Sequence, residues 1–135
     1  MTEMSLKVEK KSKLVIDNVG KDLTLKGWKR DEIQVRGSTT GDSLKEEKSL
    51  IRVKLAKDGL ILIPDDLPVE IKNIGGDTTI KGLRGPLSLK SVGGDLYLRN
   101  LNKTALENVG GDMYAKSIQD DLTCKSIGGD CSAQD

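Results

Sequence analysis

At 135 residues the chain is sized for one domain, and with 15 glycines, no phenylalanine, two tyrosines and one tryptophan its core must be filled by Leu, Ile and Val, which disfavours a helical bundle. Lys and Arg total 22 against 21 Asp and Glu, so there is no large field to gather nucleic acid or an anionic membrane, and neither is expected as a partner. The chain has no histidine, which removes the commonest general base, the Ser–His and Cys–His nucleophile systems and His-ligated zinc; no catalytic residue and no cofactor is expected.

In chain order, Leu6 and Val8, then Leu14, Ile16 and Val19, alternate with charged residues and predict two strands joined at Lys10-Lys11-Ser12-Lys13. Gly20-Lys21-Asp22 follows as a turn, and Leu23, Leu25 and Trp28 supply the next strand, with Trp28 read as a core filler or end cap. Ile33 and Val35 continue as a strand, Gly37 to Ser43 breaks the pattern as a loop, and Glu46, Glu47 and Lys48 show no period. Leu50 to Leu55 and Leu60 to Ile63 flank Ala56-Lys57-Asp58-Gly59, where Asp-Gly predicts a β-hairpin. Pro68 lacks an N–H and belongs at the start of a strand. Residues 1–68 thus read as an N-terminal β region, a first coil plus a hairpin excursion, and residues 69–135 as a regular repeat in the same continuous domain.

That repeat carries Ile74-Gly75-Gly76-Asp77, Val92-Gly93-Gly94-Asp95, Val109-Gly110-Gly111-Asp112 and Ile127-Gly128-Gly129-Asp130, at spacings of 18, 17 and 18 residues. Each interval splits into two units of about nine residues with apolar side chains at positions one, three and six, as in Leu87, Leu89 and Val92 or Leu96, Leu98 and Leu101. Positions one and three alternate as in a half-buried strand, and a corner at position four or five turns position six inward again. A period too short for two helices and long enough for a coil of short strands predicts an all-β fold, a parallel β-helix-like β-solenoid of 17–18 residues per coil with the N-terminal strand and hairpin region attached. Leu89, Leu106 and Cys124 share one inward column, and the turn glycines Gly76 and Gly94 are expected at positive φ.

The order of a Leu-rich opening strand, Asn18-Val19-Gly20, Leu25-Lys26-Gly27-Trp28, Glu32-Ile33-Gln34-Val35, Ile63-Pro64-Asp65-Asp66 and the Gly-Gly-Asp coils resembles the bacterial putative-adhesin family of β-solenoid domains over nearly the whole chain. The coiled half is also similar in architecture to bactofilins, cytoskeletal solenoids that polymerise end to end. Neither resemblance implies catalytic residues.

Asp77, Asp95, Asp112 and Asp130 stack at one corner, where like charges at strand spacing need either N–H donors or a cation. The structural reading, carboxylates accepting turn amides, is preferred to Ca²⁺ binding, because alternate units end Arg84-Gly85-Pro86, Asn102-Lys103-Thr104 and Gln119-Asp120-Asp121 and so lack half of a calcium-binding ligand ladder. Lys81, Arg99 and Lys116 form a basic ladder on one unit and Lys72, Lys90 and Lys125, interrupted by Glu107, a second on the other, and Arg99 and Lys116 with the outward Tyr97 and Tyr114 form a candidate binding face. Cys124 and Cys131 fall at positions otherwise held by Leu or Met and read as buried small hydrophobes, and with no signal peptide and no membrane-length apolar run the reading is a cytoplasmic chain. No cap is visible after Asp130, so Leu122, Cys124, Ile127 and Cys131 are assigned to self-association through the C-terminal solenoid edge, as a closed dimer in preference to a filament. The functional reading is a non-enzymatic, self-associating scaffold; the alternative is a ligand- or protein-binding module that uses the Tyr/Lys face.

Overall fold

Short alternating segments leave each strand with one apolar side, and the computed structural model of the chain, which describes residues 2–8, 12–37, 43–47 and 49–134, pairs them into two sheets. The strands are β1 (Thr2–Lys7), β2 (Lys13–Val19), β3 (Leu23–Trp28), β4 (Glu32–Gly37), β5 (Ser43–Glu47), β6 (Leu50–Leu55), β7 (Gly59–Pro64) and β8 (Val69–Ile71). They continue as β9 (Thr78–Leu83), β10 (Leu87–Val92), β11 (Leu96–Leu101), β12 (Thr104–Val109), β13 (Met113–Ile118), β14 (Leu122–Ile127) and β15 (Cys131–Gln134). The fold is all-β, with no helix among the described residues.

One sheet has eight strands in the order β1-β4-β7-β3-β9-β11-β13-β15, the other seven in the order β14-β12-β10-β8-β2-β6-β5. From β8 onward the chain alternates between sheets, and each strand pairs in parallel with the strand two places on. A strand of the seven-stranded sheet and the next strand of the eight-stranded one make a rung. In space the rungs run β6–β7, β2–β3, β8–β9, β10–β11, β12–β13, β14–β15.

The register stacks like on like. Val53, Ile16, Ile71, Leu89, Leu106 and Cys124 form one column. Ile61, Leu25, Ile80, Leu98, Ala115 and Ala133 form its counterpart on the other sheet. The inward residues of both sheets join a single apolar core. Position six turns inward in the eight-stranded sheet because the residue before it is left-handed, with φ of 70° at Gly82, 55° at Asn100 and 59° at Ser117. Glycine takes that conformation freely and asparagine tolerates it, and Leu83 and Leu101 are thereby buried.

Four sequence expectations change. The β-hairpin at Lys57–Gly59 is absent: β6 and β7 lie in different sheets, β6 parallel to β2 and antiparallel to β5, β7 parallel to β3 and antiparallel to β4. Asp-Gly marks a tight turn but not which sheet receives the next strand, and the columns of Val53 and Ile61 require a corner between sheets. The segment Ser43–Glu47, which shows no period, is the strand β5 that covers the edge of β6, while residues 38–42 of the expected loop lie outside the described residues.

Trp28 is not an end cap. It sits half-buried where β3 meets Pro64 of β7, donating its indole N–H to the Glu32 carbonyl at 2.7 Å with the Arg30 guanidinium 5.1 Å from the ring. The paired turn glycines do not hold positive φ, since Gly82 alone does among the described glycines. They are needed for closeness: a Cβ on Gly93 would lie 2.6 Å from the Gly75 carbonyl oxygen, and one on Gly94 would fall onto Asp77 Oδ1.

Candidate functional site

The corner of the rungs is a ladder of aspartates. The Asp130 amide donates to Asp112 Oδ1 at 2.8 Å, Asp112 to Asp95 at 2.8 Å, Asp95 to Asp77 at 2.8 Å, Asp77 to Asp22 at 2.9 Å and Asp22 to Asp58 at 3.0 Å. Each carboxylate therefore satisfies the amide of the next aspartate in the stack, not one in its own turn, and a charge-assisted bond of this kind offsets part of the repulsion between neighbouring carboxylates. This supplies the donors that the structural reading requires for Asp77, Asp95 and Asp112, while Asp130, last in the stack, donates its amide and its carboxylate accepts no hydrogen bond among the described residues. The sequence reading takes Gly20-Lys21-Asp22 as a lysine-substituted copy of the Gly-Gly-Asp unit but does not carry Asp22 into the aspartate stack, and it misses Asp58. Both were signalled by a Lys-Asp pair set three residues after an apolar column member, Val19 or Leu55.

From this corner a two-residue period runs outward along the eight-stranded sheet: Asp22-Thr24-Lys26, Asp77-Thr79-Lys81, Asp95-Tyr97-Arg99, Asp112-Tyr114-Lys116. Because side chains alternate across a strand and the strands are in register, these residues form three parallel rows on one outer face. The middle row holds the tyrosines, stacked with ring centroids 5.2 Å apart and planes 7° from parallel, each a little over 40% exposed at 43% and 44%. Such a pair contributes about 0.5–1.5 kcal/mol beyond its buried area. Partial desolvation, then the charge of Asp95, raises the Tyr97 hydroxyl above its ordinary pKa, so Tyr97 is neutral at pH 7. The face is indented beside the pair by a groove of about 270 Å³ whose lining includes Thr79, Lys81, Arg99, Lys116 and Ser132.

The two outer faces differ in how their cations are compensated. On the seven-stranded sheet Lys13 and Lys90 approach Glu70 at 3.2 and 3.9 Å, Arg52 and Lys72 approach Asp17 at 3.0 and 3.7 Å, and Lys125 approaches Glu107 at 3.6 Å. On the eight-stranded sheet Lys26, Lys81, Arg99 and Lys116 are all exposed and make no ion pair among the described residues. The sequence shows both lysine ladders but not this asymmetry, which depends on acids such as Glu70 and Asp17 standing one strand away.

At the opposite edge, Asp65 ties three rungs together. Its carboxylate accepts from Lys29 at 2.7 Å and Arg84 at 2.9 Å, its amide donates to the Trp28 carbonyl at 3.1 Å, and its own carbonyl accepts from the Arg84 amide. The Arg84 hydrogen bond, opposed by burial, holds the Asp65 carboxyl below its usual range.

The C-terminal end differs from the sequence reading in one respect. Cys124 and Cys131 are exposed free thiols, not buried hydrophobes, although they occupy the predicted columns, because no further rung among the described residues covers β14 and β15. Leu122 and Ile127 beside them are half-buried, whereas their column mates Leu87 and Val92 are buried at 3% and 2% exposure. Partial desolvation raises the Cys124 thiol pKa, so it is not an activated nucleophile. No group of three or more metal-ligating side chains is assembled among the described residues, and no helix is long and apolar enough to cross a membrane.

No protein-family model and no curated protein matches the chain. Among solved structures, it is similar to a putative cell adhesion protein from Clostridium sporogenes, at 13% identity over 98% of both chains with a TM-score of 0.62. At that identity the likeness shows a shared fold: an all-β chain built largely on parallel sheets.

Proposed function

We propose that the chain is a β-solenoid that works as a non-enzymatic, self-associating scaffold, with a second copy docked on its β14–β15 end. The carrying observation is that Leu122, Cys124, Ile127 and Cys131 continue columns that are buried in the preceding rungs, yet are themselves half-buried or exposed. The outer edges of β14 and β15 carry unpaired N–H and C=O groups, which another strand can satisfy while covering the apolar column ends. The β6–β7 end is already covered by the antiparallel strands β4 and β5, so the apolar contact joins like end to like end and closes as a dimer. The shared fold with a protein named for cell adhesion fits a chain that acts by contact in place of catalysis. Light scattering after size exclusion should give a dimer mass whose proportion falls on dilution, and Cys131→Lys or Thr123→Pro should give monomer with the earlier rungs folded. Unchanged mass in both variants would refute this interface.

A second reading is ligand binding on the Tyr97/Tyr114 face, and the specific observation favouring it is the unpaired row of Lys26, Lys81, Arg99 and Lys116 beside the tyrosines.

A further inference from the structure

We propose that the outer face of β9, β11 and β13 binds an acidic carbohydrate, a uronate-bearing oligosaccharide laid across the strands. A sugar ring stacks on a free face of the tyrosine pair and the carboxylates rest on Lys81, Arg99 and Lys116. This deepens the second reading above and rests on it.

The tyrosines occupy each other's inner faces and leave two outer ones. Tyr97 stands next to Thr79 and Tyr114 next to Ser132, and these small residues leave an open notch against each outer face, within the groove of about 270 Å³. A flat, partly apolar ring placed there extends the stack, as the C–H face of a sugar does on an aromatic side chain. One row away the cations repeat at the strand spacing of about 4.8 Å, so a polymer crossing the strands meets a positive charge at every step. Those cations lack carboxylate partners in a chain that pairs cations on the opposite sheet, and that leaves their charge available to an anionic ligand.

The third row selects among anions. On the other side of the tyrosines stand Asp77, Asp95 and Asp112, each with Oδ1 holding a backbone amide and Oδ2 accepting no hydrogen bond among the described residues. A sugar ring over the tyrosines can donate hydroxyl hydrogen bonds to this row and send its carboxylate the opposite way, to the arginine and lysines. A phosphodiester polymer presents negative charge to both sides and meets the aspartates repulsively, and an acidic peptide uses the cations but leaves the tyrosines idle. Hydroxyl donors, an apolar ring face and a carboxylate on one small unit describe a uronic acid.

The test is calorimetric titration of the full chain at low and moderate salt with four probes: oligogalacturonate, its methyl ester, polyglutamate and a single-stranded oligonucleotide. Oligogalacturonate should bind, more weakly at higher salt, and Arg99→Ser and Tyr97→Ser should each lower its affinity about tenfold, in proteins whose melting curves show the fold retained. The methyl ester should bind at least tenfold more weakly, because it loses the anion and keeps the ring. Equal binding of acid and ester, or binding indifferent to both substitutions, overturns the proposal. If oligogalacturonate fails while polyglutamate or the oligonucleotide binds in an Arg99-dependent way, the face stands as a binding surface and the carbohydrate class is wrong. If none of the four binds, the second reading falls with the proposal.

Discussion

At the β6–β7 end, β4 pairs antiparallel with β7 and β5 with β6, and Val53 and Ile61 beneath them have no exposed surface. At the β14–β15 end β14 and β15 are the outermost strands of their sheets among the described residues, and Cys124 and Ala133, members of the same two columns, are exposed. Burial in this fold is thus supplied by the neighbouring rung more than by a residue's own strand, and the columns taper accordingly, from Ile and Leu in the middle to Cys and Ala at the open end. At the closed end the outermost edges are those of β1 and β5, and the charges of Lys45 and Glu46 blunt the edge of β5.

The largest expected effect tests the columns. Leu89→Ala, in the middle of its column with covered neighbours on both sides, should destabilise by about 2–5 kcal/mol, while Cys124→Ala, two rungs on in the same column, should change the denaturation midpoint of the isolated protomer hardly at all. Equal losses would mean that the open end is covered in solution. Gly94→Val should also cost about 1–3 kcal/mol as overpacking, because its Cβ would land on the Asp77 carboxylate and force two rungs apart. A variant as stable as Ser88→Val, on the outward side of β10, would show that the rungs do not approach this closely.

A mid-sized effect separates ladder interior from ladder end. Asp95→Ala removes the acceptor of the Asp112 amide and should cost about 1.5–3 kcal/mol, the worth of a hydrogen bond to a charged group. Asp130→Ala removes no such acceptor among the described residues and should be close to neutral by chemical denaturation. Thr78→Val should go the other way and stabilise by about 1 kcal/mol, since the Thr78 hydroxyl is fully buried with no hydrogen-bond partner among the described residues.

The repeat, the inward columns and the position of the aspartate corner were legible because all three are periodic in sequence. Leu89, Leu106 and Cys124 could be aligned by counting alone. What was not legible depends on which neighbour arrives. Asp58-Gly59 makes the same corner as Asp22, but its hairpin chemistry points to local pairing, and only the insertion of β6–β7 on the far side of β2–β3 shows otherwise. Strand β5 carries Lys45-Glu46-Glu47 and has no period to read, because it is an edge strand made by its partner β6. The exposure of Cys124 and Cys131 follows from the missing neighbour, which no local pattern encodes. Of the candidate face, Tyr97, Tyr114, Arg99 and Lys116 were found from spacing, while the lack of ion pairs along that row required both sheets.

The smallest expected effect concerns the edge opposite the aspartate ladder, where the closed end is tied and the open end is not. Asp65 there links the β6–β7 rung to Lys29 and Arg84 of the next two rungs, while at the same edge near the open end Asp120 accepts only from the amide of its neighbour Asp121. The Arg84 hydrogen bond holds the Asp65 carboxyl below its ordinary range, so the folded protein binds this proton less readily than the unfolded chain does. A depressed carboxylate contributes stability that is fully present above the unfolded pKa and is lost as pH falls through the folded one. Stability should therefore fall more steeply below about pH 4 in the wild type than in Asp65→Asn, which cannot titrate. The side chains of Lys29 and Arg84 are 78% and 62% exposed, so solvent screening limits each pair to less than about 1 kcal/mol, and the difference at pH 7 should be correspondingly small and shrink further in high salt. Chemical denaturation of both proteins from pH 7 to pH 2.5 measures it. Parallel curves throughout that range would show that Asp65 does not couple the closed end to its neighbours through charge, and would leave the backbone bonds from the Arg84 and Gly85 amides to the Asp65 carbonyl as the connection at this edge.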